Sequence, residues 1–231
     1  DPFGIRPLVL GKLNDTYILS SESCGLDIIG ADLIRDVEPG EILIIKNNKI
    51  NSIKPFKKTY LRPCLFEYIY FSRPDSILEG RNVYDVRKSI GHQLAVENPN
   101  DNKIIDVVIP IPDSGNASAL GYSEKIKKPF EFGIIRNHYT GRTFIEDSIS
   151  VRNLSVKLKH NPNILSFKDK SIALVDDSIV RGTTSVKIVE MLRNCGVKNV
   201  HMRIASPPVK YPCFYGIDTP TKEELLASKF T

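Results

Sequence analysis

No stretch of the 231-residue sequence approaches the roughly 18 consecutive apolar residues that would cross a bilayer, and no signal-peptide pattern opens it. Both absences argue against a membrane-spanning chain and lead to an expected cytoplasmic location. Cysteine is scarce: Cys24, Cys64, Cys195 and Cys213 are far apart and form no C-x-x-C pair, so reduced cytosolic thiols are the default. Internal repeats and low-complexity tracts are missing too. Charge of one sign is in short supply, since 32 Lys+Arg against 27 Asp+Glu leave only 32 − 27 = +5. The densest basic stretch, Lys125-Ile126-Lys127-Lys128, is too short for the basic stripe of a nucleic-acid reader. A solvated surface accounts for that excess, and a basic pocket for a phosphorylated small molecule would use it better. What remains, 41% hydrophobic and 26% charged residues, is an ordinary globular composition that excludes a disordered chain, a collagen and a coiled coil. The length suits one large domain, or one domain and part of another.

Residues 1–60 read as short strands and turns. Leu8-Val9-Leu10 and Tyr17-Ile18-Leu19 are apolar runs, and Glu41 to Ile45 and Lys49 to Ile53 flank Asn47-Asn48 as a hairpin would. From about residue 64 the texture changes. Val83, Val86, Ile90 and Leu94 recur at spacings of three and four, which predicts an amphipathic helix over residues 83–97. Strands and helices then alternate: strand 104–111, helix 117–128, strand 132–136, strand 171–175, helix 183–195 with Gly196 at its C-cap, and strand 200–205. Residues 137–169 read as a long polar connection without clear structure. Apolar strands alternating with helices indicate a parallel sheet, so the fold class is α/β, preceded by a smaller β-rich piece.

The most informative stretch runs from Ile172 to Ser185. An apolar strand ends in two adjacent carboxylates, Asp176 and Asp177. Ser178, Ile179, Val180, Arg181, Gly182, Thr183, Thr184 and Ser185 follow, and then a helix. Ligands of open α/β sheets bind at the carboxyl ends of strands, where this loop must lie. Gly182 allows close backbone approach, the hydroxyls donate hydrogen bonds, and a helix N-terminus supplies free N–H groups for a phosphate. No G-x-x-x-x-G-K-[ST] loop is present. Two carboxylates would repel a phosphate unless they faced sugar hydroxyls or Mg²⁺, so a sugar phosphate with vicinal hydroxyls fits better than a nucleoside triphosphate. Two Asp residues among so many hydroxyls also exceed what helix capping needs. Ile109-Pro110-Ile111-Pro112-Asp113-Ser114-Gly115 is a second strand-end loop with a hydroxyl and a glycine, weak alone but a second anion cradle beside the first.

The run Leu174-Val175-Asp176-Asp177-Ser178-Ile179-Val180-Arg181-Gly182-Thr183-Thr184 resembles the phosphoribosyl pyrophosphate (PRPP) motif of type I phosphoribosyltransferases. Its Ser178-Ile179-Val180-Arg181 version resembles the glutamine phosphoribosylpyrophosphate amidotransferase (amidophosphoribosyltransferase) family, as do Glu67 to Ser76, Asn137 to Ile145 and residues 215–218. The resemblance covers nearly the whole chain. It implies a type I phosphoribosyltransferase sheet over 63–231, preceded over 1–62 by the end of an N-terminal-nucleophile glutaminase domain. It also implies conversion of PRPP, glutamine and water to 5-phosphoribosylamine, glutamate and pyrophosphate, the opening step of purine synthesis. PRPP would be held by residues 176–178, Val180, Arg181, Gly182, Thr183, Thr184, Ser114 and Gly115, with Mg²⁺ near Ser114, Asp176 and Asp177.

Tyr139, Arg142, Arg152, Lys157 and Lys159 would lie in a cationic lid that closes over the polyanion and keeps water from it. Asp27 takes a position implied to contact glutamine. The family's nucleophile is an N-terminal cysteine. Residue 1 is Asp, and Cys24 has no N-terminal amine as base, so the chain as given is expected not to hydrolyse glutamine while ammonia-dependent transfer remains open. Cys64 and Cys213 match two positions that bind a [4Fe-4S] cluster in one branch of the family. The two further thiolates would come from a C-x-x-C beyond Thr231, so the sequence reads as the central portion of a longer enzyme. Cys195 has no assigned role. Purine nucleotides as feedback inhibitors and a homo-oligomeric assembly are also implied.

Two other readings compete. A PRPP-binding transcriptional regulator would carry a basic winged-helix module, and none is evident. A salvage purine phosphoribosyltransferase lacks support from Glu67–Ser76 and Asn137–Ile145. No nucleic-acid or membrane partner is expected.

Overall fold

The computed structural model of the chain describes residues 1–137, 160–217, 219 and 221–230. It divides into two compact units, 1–86 and 87–231. Among the described residues no helix is long and apolar enough to cross a membrane.

The first unit is built from short antiparallel strands. β1 (Val9–Leu13) lies between β2 (Thr16–Ser20) and β3 (Asp32–Asp36), with the short helix α1 (Ser23–Ile28) connecting β2 to β3. Val9, Leu26 and Ala31 form its small core. The expected hairpin is present as β4 (Ile42–Lys46) and β5 (Lys49–Ile53). Its two-residue turn places Asn47 and Asn48 at φ +49° and +56°, the left-handed pair that matches the twist of the flanking strands and that Asn tolerates. A one-turn π-helix, Glu67–Phe71, follows, and then the two-residue strands β6 (Ile77–Leu78) and β7 (Arg81–Asn82) pair as a tight hairpin.

The helix α2 (Val83–Val96) leads into the second unit. There α3 (Asp101–Ile104), β8 (Val107–Pro110), α4 (Asn116–Ile126), β9 (Ile134–Arg136), β10 (His160–Pro162), α5 (Ile164–Phe167), β11 (Ser171–Asp176), α6 (Thr183–Asn194) and β12 (Asn199–Ile204) follow in order. The sheet order is β12-β11-β8, all parallel, with Leu174 opposite both Ile109 and Met202. Every residue of β11 is buried, because both faces are covered. Ile172 and Leu174 pack with Ile109, Phe167, Ile188 and Leu192 on one face, while Ala173 and Val175 pack with Val108, Ala119 and Tyr122 on the other. This is the parallel α/β sheet with flanking helices that the alternating pattern predicts.

Two expectations shift in detail. The strand expected from residue 104 begins at Val107, because Ile105 N–H donates to the Asp101 carbonyl at 2.9 Å and closes a helical turn over 101–104. The connection expected to lack structure throughout 137–169 contains β10, paired antiparallel with β9, and α5. His160, Asn161 and Pro162 carry no apolar alternation that would announce a strand.

Helices α2 and α4 meet at glycines. A Cβ built on Gly91 would lie 1.9 Å from the Ser118 carbonyl oxygen, and one on Gly121 would lie 2.0 Å from that of Lys88. Arg87, Gly91 and Ala95, one helical turn apart, are accordingly the buried positions of α2 in this unit. Arg203 on β12 grips Asp101 in a bidentate pair, Nε–Oδ2 2.6 Å and Nη2–Oδ1 2.6 Å, and the Tyr122 hydroxyl also donates to Asp101. Burial opposes ionisation of Asp101, but the Arg203 and Tyr122 hydrogen bonds outweigh it and hold the carboxyl below its usual range.

Two outcomes follow for urea unfolding of the whole chain. Gly91→Ala lowers stability by about 2 kcal/mol or more through overpacking, while the exposed-position control Val96→Ala changes little. Asp101→Ala strands the mostly buried Arg203 and costs about 3 kcal/mol at neutral pH. Because the folded pKa of Asp101 is depressed, its contribution is present above its unfolded pKa and is lost as pH falls through the folded value, so the gap between the two proteins closes in acid. A constant gap down to pH 2 would remove Asp101 from this role.

Candidate active site

The loops after β8 and β11 lie side by side because the two strands are hydrogen-bonded neighbours running the same way. Ile111 N–H donates to the Val175 carbonyl at 2.8 Å, extending that ladder past the end of β8. Gly115 then presses onto the ends of both strands: a Cβ there would lie 2.6 Å from the Val175 carbonyl oxygen and 2.8 Å from that of Ile111. Any side chain at 115 would force the two loops apart.

Each loop runs directly into a helix that lacks a side-chain cap. Gly115 precedes α4 and Gly182 precedes α6, and neither helix has an acidic residue in its first turn. The first N–H groups of a helix have no intrahelical partner and carry the positive end of its dipole, so two uncapped N-termini at the carboxyl end of the sheet form a double anion cradle. Gly182 adopts φ +80°, a left-handed conformation that costs other residues energy. Thr183 and Thr184 are exposed on the first turn of α6, Ser178 and Ser114 are half-buried in the loops, and Arg181 is exposed at the rim.

Asp176 closes β11 and Asp177 follows it, with only 9% and 6% of their surfaces exposed. Asp177 N–H donates to Asp176 Oδ1 at 2.9 Å, and the Ser178 hydroxyl donates to Asp177. No Lys, Arg or His pairs with either carboxylate among the described residues. Burial, reinforced by the charge of Asp177, pushes the Asp176 carboxyl up to about 7. Two adjacent buried carboxylates without a cation are a donor set that a divalent ion satisfies. No cluster of three or more His, Cys, Asp or Glu stands ready for a metal among the described residues, so an ion here would take its remaining ligands from substrate oxygens and water, the usual habit of Mg²⁺.

The fold therefore brings Ser114, Gly115 and the residues of the β11–α6 loop together at the carboxyl end of the sheet. Tyr139, Arg142, Arg152, Lys157 and Lys159 lie outside the described residues. Asp27 is in the first unit, exposed on α1. Cys64 is half-buried in the first unit, and its N–H donates to the Ile5 carbonyl at 3.0 Å. Cys213, half-buried in the second unit, accepts the Tyr215 N–H on its sulfur at 3.3 Å.

Sequence reasoning passed over two groups. Asn116, the first residue of α4, has a buried side-chain oxygen without a hydrogen-bond partner among the described residues. Arg136 at the end of β9 pairs with Asp113 of the first loop at 2.7 Å, although both side chains are more than half exposed and the pair contributes little stability. Asn116 directly follows a loop already singled out, whereas nothing in the sequence ties Arg136 to Asp113.

The raised pKa of Asp176 has a stability consequence. The folded state keeps this proton to about pH 7, whereas the unfolded chain releases it near the ordinary value of 3.8. The native state binds more protons between those values, so stability declines as pH rises through that window and is level above it. Asp176→Asn removes the decline. In urea titrations without divalent ions the variant is more stable than wild type at pH 7.5, by on the order of a few kcal/mol, and the difference vanishes near pH 4. Parallel pH profiles for the two proteins would mean that Asp176 ionises as it does in water.

Comparison with known proteins bears on the fold and the family. Residues 75–206 match the model of the phosphoribosyl transferase domain. The amidophosphoribosyltransferase of Rhizobium etli is 54% identical over all of this chain, which covers 47% of that protein. That of Archaeoglobus fulgidus is 46% identical over all of this chain and half of its own length. A solved structure of glutamine PRPP amidotransferase from Bacillus subtilis complexed with ADP and GMP superposes with a TM-score of 0.92 at 47% identity, over all of this chain and 50% of that one. The chain thus spans about half the length of the relatives it matches. The chain belongs to the phosphoribosyl transferase domain family, and over its whole length it is similar to the amidophosphoribosyltransferases.

Proposed function

We propose that the chain carries the phosphoribosyl-transfer site of an amidophosphoribosyltransferase, which moves ammonia, supplied by glutamine in the whole enzyme, onto PRPP to give 5-phosphoribosylamine and pyrophosphate at the start of purine synthesis. The observation that carries this reading is the buried Asp176–Asp177 pair set between two uncapped helix N-termini. One ligand that places two anionic groups on the cradles and vicinal hydroxyls on the carboxylates meets every element of that arrangement. PRPP has a 5-phosphate, a pyrophosphate and two ring hydroxyls. In this reading the 5-phosphate sits on the N–H groups and hydroxyls of Gly182, Thr183 and Thr184, with Ser178, Val180 and Arg181 completing the loop. The pyrophosphate sits at Ser114 and Gly115.

Breaking the C1–O bond leaves positive charge on the ribose ring and negative charge on pyrophosphate. The α4 N-terminus faces the negative charge as it develops, and the carboxylate of Asp176 or Asp177 receives the ring hydroxyls and offsets the positive charge. Ammonia arrives neutral, so the site needs no strong base. Asp176, Asp177 and Ser114 would hold Mg²⁺, which when bound neutralises the pyrophosphate. Tyr139, Arg142, Arg152, Lys157 and Lys159 would form a lid that keeps water from the reacting carbon.

The reading extends to the rest of the chain. Residues 1–62 would be the end of a glutaminase domain with Asp27 toward glutamine, and 63–231 the phosphoribosyltransferase. Cys64 and Cys213 would supply two of four thiolates to a [4Fe-4S] cluster. A cytoplasmic homo-oligomer inhibited by purine nucleotides completes it, supported by the ADP and GMP bound in the Bacillus subtilis structure.

The test is pyrophosphate release from PRPP by the chain, with ammonia and Mg²⁺ supplied. Wild type is expected to release pyrophosphate in step with phosphoribosylamine, and Asp176→Asn and Asp177→Asn to lose about a hundredfold or more. Turnover that depends on a purine base, or binding to operator DNA, without ammonia-dependent pyrophosphate release would replace this reading with a salvage enzyme or a regulator.

A further inference from the structure

Beyond β12 the chain doubles back across the outer side of the loop that follows β11. The base of that loop is held by the sheet itself. Ala205 N–H donates to the Asp176 carbonyl at 2.9 Å and Ser206 N–H to that of Asp177 at 2.8 Å, continuing the β12 ladder past the acidic pair. The far limb, from Ser178 to Gly182, leaves the sheet. It is met instead by residues 221–230. Leu226 N–H donates to the Val180 carbonyl at 2.8 Å. The Leu226 side chain covers Gly182, since a Cβ at 182 would lie 3.1 Å from one of its methyl groups. Arg181 and Glu224 approach to 3.4 Å, but both are more than half exposed, so this pair contributes little.

The returning segment is itself well anchored. Leu225 is completely buried, and the Ser228 hydroxyl donates to the Leu225 carbonyl at 2.8 Å and also to that of Lys222. Beside these contacts an open pocket of about 430 Å³, lined by Ile204, Ser206, Pro207, Leu226 and Phe230, reaches the loop at Ile179. The loop is therefore not backed by continuous packing, and the Leu226 contacts hold it. An N–H cradle binds an anion more tightly the less the anion must order it.

We infer that Leu226 is a positioning residue, which holds Val180 and Gly182 in the geometry that an anionic ligand of the β11–α6 loop requires. The identity of that ligand as PRPP rests on the proposed function; the brace does not. Leu226 also permits a clean deletion of its N–H. It opens a 3-10 turn over Leu226–Ser228, and Leu225 before it is extended at ψ 123°. Both conditions accommodate proline, which would lack the donor.

The experiment compares the whole chain with Leu226→Pro, Leu226→Ala and Leu226→Met, by amide hydrogen exchange without ligand and by calorimetric titration with PRPP and Mg²⁺. In L226P, exchange across Ile179–Thr184 is expected to speed up about tenfold while the β11 amides Ile172–Val175 stay unchanged, and PRPP affinity falls about tenfold, as loss of one hydrogen bond allows. L226M should bind as wild type does, and L226A should fall between them. Should L226P fail to fold, L226A carries the same comparison through the methyl contact. Unchanged loop exchange and affinity in a folded variant overturns the inference. So does a lower melting temperature with loop and β11 affected alike, since that is what a merely structural residue would give. If wild type binds no PRPP, the proposed ligand is wrong, and the loop exchange alone then supports or overturns the brace.

Discussion

The second unit depends on β11 being paired on both sides in the same direction. Parallel pairing with β8 and β12 gives the three strands a common carboxyl end, so the connections that leave β8 and β11 must emerge together. Covering both faces makes β11 apolar from Ile172 to Val175, and its last residue is an aspartate. The site arises where that rule of burial is broken. Asp176 and Asp177 are where the strand would have continued into the core, and the stability it forgoes there appears as the reluctance of Asp176 to ionise. An apolar residue at 176 would relieve that cost and remove one carboxylate from the site.

The same strand explains which parts of the molecule could be read from sequence. Ile172 to Val175 is a short apolar run ending in two acids, and that pattern gave both the strand and the loop. The hairpin at Asn47-Asn48 was equally plain, because Asn is one of few residues that accept a left-handed turn. Short pieces defined by partners elsewhere were not legible. β10 has the sequence His160-Asn161-Pro162 and exists because β9 lies beside it. The Asp101–Ile104 turn delays the start of the strand expected from residue 104, and its Asp101 side chain is held by Arg203, a hundred residues away.

At the site the division is similar. Residue type revealed Asp176, Asp177, Gly182 and the threonines, since an acidic pair beside glycine and hydroxyls has little structural use. Gly115 was legible as a glycine in a strand-end loop, but its close packing on Val175 was not. Leu226 was invisible. A leucine in a segment without periodicity says nothing until its neighbours are known, and its most specific contact is made by backbone, which every residue but proline possesses.

The order of the strands has a consequence for how the protein comes into being. In the finished sheet Ile172 faces Val107, 172 − 107 = 65 positions earlier, and Val200, 200 − 172 = 28 positions later. A chain growing from its amino end reaches the central strand of the sheet well before its second partner has been synthesised. Such distant pairings must close long loops before contacts reward them, which makes a parallel sheet slow to assemble. For that interval Ile172 to Val175 is a sticky, half-paired edge on a nascent polypeptide, and crowding of neighbouring chains at that moment is the hazard the arrangement creates.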